Sequence, residues 1–283
     1  MSFDAGAYRE ASLRNWEEAA TGWTRHQAML RELGAPVSHR MLDALELQPG
    51  ERVLELAAGL GETGMLAAEL VAPAGGVIIS DQAESMLDAA RARAAGLGLS
   101  NVEFQVLNAE WIDLPLASVD AVICRWGYML MADPATALGE TRRVLAPGGR
   151  VALAVWDSIE HNPWAALPGR ELAERGLTPP SAQGLPGPFA LGDSRALTEL
   201  LEQAGFADVQ VEALDLLRRH ASFEELWDST LDLSRNFHDA VLDRPEAEVQ
   251  EIRSSLAERF APYTLPDASL QIPGRTLVAR ASA

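Results

Sequence analysis

A short apolar run that ends in a turn of small residues constrains this chain more than any other feature. Residues 53–64 read VLELAAGLGETG, in which an apolar strand carries Glu55 near its end and small residues then alternate before a helical pattern begins. A second apolar run, VIISD, ends at Asp81. Because ligands of open α/β sheets bind at the carboxyl ends of the strands, these two carboxylates predict a nucleoside site.

Short apolar runs alternate with amphipathic segments along most of the chain, which is typical of parallel strands joined by crossover helices. We therefore predict an α/β fold: a Rossmann-like, seven-stranded, mostly parallel sheet with helices on both faces, N-terminal helices and a helical cap. The predicted strands are 52–57, 76–81, 102–107, 119–125, 150–156, 207–213 and the final apolar segment SLQIPGRTLVARA. The predicted helices are about 8–33, 37–47, 62–72, 84–96, 134–146, 193–204 and a polar helical stretch at 222–260.

The same pattern divides the chain into three parts. Residues 1–48 precede the first strand and are expected to form a helical lid, whereas 49–214 with 269–283 form the nucleoside-binding core. The remaining stretches, 158–192 and 215–268, are expected to be insertions that cap the substrate. The first of them lacks a regular period, and long irregular connections inside a compact domain tend to be functional.

Composition narrows the classes of partner. Of 283 residues 48% are hydrophobic, which is enough to bury a full core. No apolar run reaches the about 18 residues of a membrane span, and the start of the chain lacks the apolar centre of a secretory signal. The single cysteine, Cys124, cannot form an intrachain disulfide, so we expect a cytoplasmic protein without a membrane partner.

The charge balance argues against a nucleic-acid partner. The formal net charge is −18, whereas nucleic-acid binding depends on clustered lysine and arginine. We therefore expect a small-molecule partner, with the protein a monomer or a homodimer.

The turn alone is compatible with two nucleosides. Gly59, Gly61 and Gly64 also satisfy the GxGxxG pattern of dinucleotide sites, so a nicotinamide-dependent oxidoreductase stays open. An anionic phosphate at a helix N-terminus is repelled by a nearby carboxylate, however. S-adenosylmethionine has no phosphate and is positively charged at its sulfur and amine. Glu55 and the polar triplet 108–110 after the third predicted strand therefore favour S-adenosylmethionine.

Two motifs carry a resemblance to a known family. The run ELAAGLG resembles motif I of class I S-adenosylmethionine-dependent methyltransferases, with Ala57 in place of the first glycine. The stretch VDAVICRWGYMLMADPATALGETRRVLAPGGRVALAVW resembles the block from strand four to strand five of the small-molecule branch, typified by ubiquinone and menaquinone biosynthesis methyltransferases. The resemblance is close over about 50–156 and loose over 185–213. Asn108 departs from it, because many relatives have aspartate there.

The resemblance implies S-adenosylmethionine as the cofactor and a role for each matching residue. Glu55 would orient the methionyl portion and Asp81 would bind the ribose. The backbone at Arg125 would face the methionine end, although Arg125 could instead be a structural ion-pair partner. The other residues expected to bind or pack near the cofactor are Trp23, Ala57, Gly59, Gly61, Gln82, Met86, Asn108, Ala109 and Glu110.

Methyl transfer needs alignment more than a dedicated base. Holding two reactants in line can supply on the order of 7–11 kcal/mol, and a neutral histidine is the natural base if one is used. His26 and His161 fall in segments expected near the mouth of the pocket, and Tyr128 is a comparable candidate for binding substrate. We expect no metal, because residues 125–127 (Arg-Trp-Gly) stand where catechol-type enzymes of this fold offer a carboxylate.

The predicted function is metal-independent, in-line methyl transfer from S-adenosylmethionine to a small apolar or aromatic molecule. A protein of this fold that uses the cofactor for a pericyclic reaction or for regulation stays open. The aromatic residues expected to build the acceptor pocket are Trp126, Tyr128, Trp156, Trp164, Phe189, Trp227 and Phe237.

Overall fold

The computed structural model describes residues 3–178 and 184–283. Its strands are β1 Arg52–Glu55, β2 Gly76–Asp81, β3 Val102–Val106, β4 Val119–Arg125, β5 Leu145–Trp156, β6 Ala207–His220 and β7 Leu270–Ser282. They form a seven-stranded sheet in the order β3-β2-β1-β4-β5-β7-β6. Strands β1 to β5 are parallel, and β7 is antiparallel to both of its neighbours. The predicted seven-stranded, mostly parallel sheet is confirmed.

The helices cover both faces of this sheet. Their bounds are α1 Ala5–Arg25, α2 Gln27–Leu45, α3 Glu62–Val71, α4 Glu84–Leu97, α5 Pro134–Val144, α6 Pro163–Glu174, α7 Ser194–Gln203, α8 Phe223–Leu233, α9 Arg235–Leu242 and α10 Glu246–Phe260. The strand order reverses between β1 and β4, because β1 leads outward to β2 whereas β4 leads the other way to β5. Right-handed crossovers therefore place α3 and α5 on opposite faces, and the reversal opens a crevice at the carboxyl ends of β1 and β4.

The two largest apolar cores of the described residues lie in the sheet and in the predicted cap. The larger core lies in the sheet and its flanking helices and includes the buried Cys124, whose pKa burial raises to about 12. The smaller core joins α6 and α8 to α10 with the start of β7. The predicted cap therefore has an apolar core of its own, although the division into lid, core and cap stays a prediction. The buried members of this cap core are Leu172, Leu226, Trp227, Phe237, Val241, Ile252, Leu256, Phe260, Leu270 and Ile272.

The boundary predicted between the two leading helices is wrong. Gly34 and Pro36 predict a break near 34–36, yet α2 runs through both residues and the chain instead breaks at His26. Proline in a helix interior removes one backbone hydrogen bond, a cost that tertiary packing can override. The glycine at 34 is required by a contact with the sheet, described below.

Three further predictions differ from the structure. The segment after residue 157 contains the helix α6, because Pro163 stands at the first helical turn, where proline fits. Strand β6 continues to His220 rather than ending at 213, because it pairs with β7 along that length. Strand β5 begins at Leu145 rather than at residue 150, whereas the predicted helical stretch 222–260 is helical and comprises α8, α9 and α10.

We expect the cap core to contribute strongly to stability. Phe260 is 2% exposed within that core, and replacing a buried phenylalanine by alanine costs about 3–5 kcal/mol. Phe260→Ala should therefore lower the free energy of unfolding by that order, measured by chemical denaturation. Leu242→Ala, at a side chain that is 48% exposed, is the control and should change it by less than about 0.5 kcal/mol. Equal effects of the two substitutions would contradict this assignment.

Candidate active site

The turn after β1 is shaped by left-handed backbone. Ala57, Gly59 and Gly61 have φ angles of 50°, 53° and 73°, a region that L-residues other than glycine adopt at a cost. The amide of Gly59 donates to the Asp81 carboxylate at 2.8 Å, and the amide of Ala83 donates to its other oxygen at 3.0 Å. The Asp81 side chain thereby fastens the turn to the end of β2, beside the crevice.

A cleft opens at this crevice, between the carboxyl edge of the sheet and α1. Ten of the twelve residues predicted to hold the cofactor line it, which brings four strand ends and one helix together. Their roles in binding stay a prediction. These ten are Trp23, Glu55, Ala57, Gly59, Asp81, Gln82, Asn108, Ala109, Glu110 and Arg125.

The other two predicted residues lie behind the cleft wall. A side chain built at Gly61 would touch Met65, Ala90 and Ile79, so this glycine serves the packing of the turn. Met86 is fully buried in a small cluster with α1 and does not line the cleft. Both therefore shape the cleft without facing it.

Buried charges meet at the floor of the cleft. Glu55 is 2% exposed, and burial raises its pKa to about 8 although Arg125 opposes the shift. The Arg125 guanidinium contacts Glu62 at 3.3 Å and lies over the Trp126 ring at 4.9 Å. Within the described part of the chain, Glu55 Oε2, Arg125 Nη1 and Trp23 Nε1 are buried without a hydrogen-bond partner. The cleft thus holds one unpaired acceptor and two unpaired donors, which a polar ligand could satisfy.

Helix α1 forms the outer wall and is fastened to the core. Tyr8 donates to the Leu130 carbonyl at 2.9 Å, and Arg9 forms an ion pair with Glu110. The amide of Glu110 donates to the side-chain oxygen of Asn108 at 2.8 Å. The Glu110 carboxylate is thus already paired with Arg9. The Asn108 amide nitrogen, in contrast, makes no hydrogen bond to a described residue.

The three candidates for catalysis or acceptor binding lie outside the cleft lining. His26 Nε2 is 2.8 Å from Asp232, and His161 is 3.0 Å from Asp157 on a half-exposed turn. Tyr128 is fully buried, and its hydroxyl forms a hydrogen bond with the Thr141 hydroxyl. Burial raises the pKa of Tyr128 above its usual value. The 3₁₀ turn 128–130 directs the Tyr128 ring into the core, and its contact with substrate stays a prediction.

Aromatic rings extend from the cleft toward the cap. Trp126 stacks on Trp156 with ring centres 4.3 Å apart, and Trp156 meets Trp164 at 4.9 Å. Phe189 lies 6.2 Å beyond Trp164. Four of the predicted pocket aromatics thus form one row. Of the remaining three, Trp227 and Phe237 belong to the cap core, and Tyr128 belongs to the larger core.

Two functional candidates escaped the sequence prediction. Arg218 and His220 lie on the part of β6 beyond residue 213. Arg218 Nε and both ring nitrogens of His220 are buried without hydrogen-bond partners among the described residues. Their signal in the sequence is alternation with the exposed Leu217 and Arg219. This alternation is hard to recognise in the sequence, because a charged run such as Arg-Arg-His is typical of a loop.

Among residues 3–178 and 184–283, no three His, Cys, Asp or Glu side chains gather as a metal ion would require. None of the helices described is long and apolar enough to cross a membrane.

The glycine at 34 in α2 is needed by the floor of the cleft. A Cβ built there would lie 1.5 Å from Arg125 Nη1. Gly34→Ala must therefore displace the Arg125 guanidinium from its place beside Glu62. We expect weaker binding of S-adenosylhomocysteine, measured by calorimetry.

The matched control for that substitution is Gly96→Ala in α4, where a Cβ would meet nothing within 4 Å. Alanine in an open helical position stabilises by about 0.5–1 kcal/mol, so this variant should bind as the native protein does. If Gly34→Ala also binds normally, the close packing of Arg125 against α2 is not needed by the cleft.

Comparisons with known proteins agree with this geometry. A family profile described as a methyltransferase domain matches residues 47–179. Nocamycin O-methyltransferase of Saccharothrix syringae is 31% identical over 204 residues, covering 69% of this chain and 73% of that protein. The ubiquinone/menaquinone biosynthesis C-methyltransferase UbiE of Pasteurella multocida is 37% identical over 111 residues, covering 39% of this chain and only 41% of that enzyme.

The fold also matches solved structures. A crystal structure from Bacillus halodurans, assigned to the methyltransferases, superimposes with a TM-score of 0.58 at 20% identity, covering 87% of this chain and 97% of that one. At this identity the likeness concerns the fold alone.

Proposed function

This chain belongs to the S-adenosylmethionine-dependent methyltransferases, and we propose that it methylates a small apolar or aromatic molecule without a metal ion. One observation supports the location of the proposed cofactor site. Glu55 at the end of β1 and Arg125 at the end of β4 each hold one unpaired atom on either side of the point where the strand order reverses, beside the row of tryptophans. A cofactor that presents both an ammonium and a carboxylate would satisfy both atoms.

The described residues fit S-adenosylmethionine. Glu55 would accept from its ammonium group, Arg125 Nη1 would donate to its carboxylate, and Asp81 at the end of β2 would accept from the ribose hydroxyls. When bound, the cofactor supplies a methyl group on a positively charged sulfur. Asn108, with a free amide nitrogen, and Ala109 would border the adenine.

The protein's part in the reaction would be alignment and exclusion of water. Trp126 is held rigidly, because its indole nitrogen donates to Thr276 at 3.0 Å and its ring stacks on Trp156. A rigid aromatic wall beside the methionine end would position a flat acceptor in line with the methyl group, and this kind of positioning supplies much of the rate. We infer that α1 is the lid over the bound cofactor, because it forms the outer wall of the cleft.

The direct test measures release of S-adenosylhomocysteine with a panel of aromatic hydroxyl, amine and carbon acceptors. We expect turnover with some members, and thermal stabilisation by S-adenosylmethionine but not by NAD. Tight cofactor binding with no release across the panel would favour the pericyclic or regulatory alternative. Stabilisation by NAD alone would contradict the assigned site.

Binding of S-adenosylhomocysteine should depend on pH through Glu55. Its pKa of about 8 in the free protein means that the carboxyl is mostly protonated at pH 7, whereas an ammonium ligand prefers the carboxylate. Affinity should therefore rise as pH rises toward 8, by up to about tenfold per unit well below the pKa, and level off above it. Calorimetry in buffers of different ionisation enthalpy would count the proton released.

Glu55→Gln should remove this part of the pH dependence and weaken binding above pH 8. Glu69→Gln, at an exposed position of α3, is the control and should keep the native profile. The same pH profile in Glu55→Gln as in the native protein would remove Glu55 from the binding site.

A further inference from the structure

The carboxyl end of β6 carries two polar side chains with buried nitrogen atoms that the fold does not use. His220 is 2% exposed, and neither of its ring nitrogens has a hydrogen-bond partner in the described residues. Arg218 Nε is likewise buried and unpaired, and its guanidinium makes no ion pair with any side chain that the structure describes. Buried polar groups are normally hydrogen-bonded, so these two require an explanation.

Both side chains lie on the same face of the sheet as the floor of the cofactor cleft. Arg125 pairs in register with Ala154, two residues before Trp156 on β5. Trp156 pairs with Thr276, and Ile272 on the same strand pairs with Arg218. Residues paired across strands, and residues two apart along one strand, share a face. The face that carries Arg125 therefore continues through Trp156 to Arg218.

The row of tryptophans links the two arginines. Arg125 lies over Trp126, which stacks on Trp156, and Trp156 meets Trp164. Arg218 lies over the opposite end of this row, 4.5 Å from the Trp164 ring centre. The contacting rings from Trp126 to Trp164 thus have a guanidinium at each end.

The two guanidinium groups differ in their partners. Arg125 has Glu62 as its counter-charge, whereas burial lowers the pKa of Arg218 to about 10 with no acidic neighbour to oppose it. Arg218 therefore still carries its charge at pH 7. The chain has 41 acidic residues, so the absence of a carboxylate beside Arg218 in the described structure is informative. Arg218 is half-buried, and its buried Nε has no hydrogen-bond partner in the described structure. Leaving a buried donor unpaired is destabilising, which indicates that its partner is a ligand.

The surroundings of His220 also favour a ligand. Burial, with the nearby charges of Arg218 and His26, lowers the pKa of His220 to about 4, so its ring is neutral at pH 7. His26 is itself paired with Asp232. A neutral imidazole beside a guanidinium can donate to one oxygen of an anion while Arg218 donates to it through two nitrogens.

We propose that the methyl acceptor is a planar molecule bearing a carboxylate, which pairs with Arg218 and His220 while its ring system lies against Trp164. This assignment rests on the proposed methyl transfer, since it names the class of molecule that the same site accepts. The acceptor atom would then lie toward Trp126, at the cofactor end of the row.

The test compares carboxylates with neutral amides of the same shape. Benzoate, cinnamate and 1-naphthoate, each with its amide, are titrated by calorimetry into the protein loaded with S-adenosylhomocysteine. At least one carboxylate should bind about tenfold or more tightly than its amide, as expected for a charge-assisted pair. Arg218→Met should remove this preference, and Arg218→Lys, which lacks the planar fork, should retain only part of it.

Arg219→Met is the matched control, because Arg219 is 56% exposed and pairs with Glu32 at the surface. It should keep the preference of the native protein. A second measurement needs no acceptor: Arg218→Met should raise the unfolding temperature of the ligand-free protein, because it removes a buried donor that has no partner.

Equal binding of every carboxylate and its amide, or a preference that survives Arg218→Met, would overturn the proposal. A fall in unfolding temperature on Arg218→Met with ligand binding unchanged would assign Arg218 a structural role instead. The affinity for S-adenosylhomocysteine, measured first, separates the two proposals. If the native protein does not bind it, the proposed methyl transfer fails, whereas normal binding without a carboxylate preference rejects only the acceptor class.

Discussion

The burial of one guanidinium, that of Arg125, sets the arrangement of the elements around the cleft. A charge removed from water is tolerated only when counter-charge and hydrogen bonds surround it. Glu62 of α3 supplies the counter-charge, and the Trp126 ring covers one face of the guanidinium. In α2 the guanidinium requires glycine at position 34, where a side chain would collide with it. Two helices and the end of β4 are therefore positioned by a single cation. Arg125 Nη1, which is buried without a hydrogen-bond partner in the described structure, is the atom available to a ligand.

The strands of the parallel core could be predicted from sequence because each is a short, nearly continuous apolar run closed by a turn signal. The features that were predicted wrongly depend on distant contacts. Glycine is typical of a helix end, but Gly34 is required because Arg125, 91 positions later in the sequence, packs against it. The length of β6 depends on its pairing with β7. The local sequence Arg-Arg-His at 218–220 does not predict that pairing.

The candidate site was predictable to the extent that it follows strand ends. Residues in the turns after β1, β2 and β3 line the cleft, because the carboxyl ends of parallel strands meet at one edge. The direction of a side chain on a short turn or helix was not predictable. Met86 and Tyr128 stand at the expected distance along the chain from a strand end, yet both side chains face the core, where helix phase and the 3₁₀ turn place them.

Helix α1 joins parts of the molecule that have separate apolar cores. Near its start Arg9 pairs with Glu110 beside the cleft, and at its end Arg25 and His26 pair with Asp232 of α8. Gly22 lets the two helices approach so closely that a Cβ there would lie 2.5 Å from the Asp232 carbonyl oxygen. A displacement of α8 is therefore transmitted along a rigid helix to the wall of the cofactor cleft.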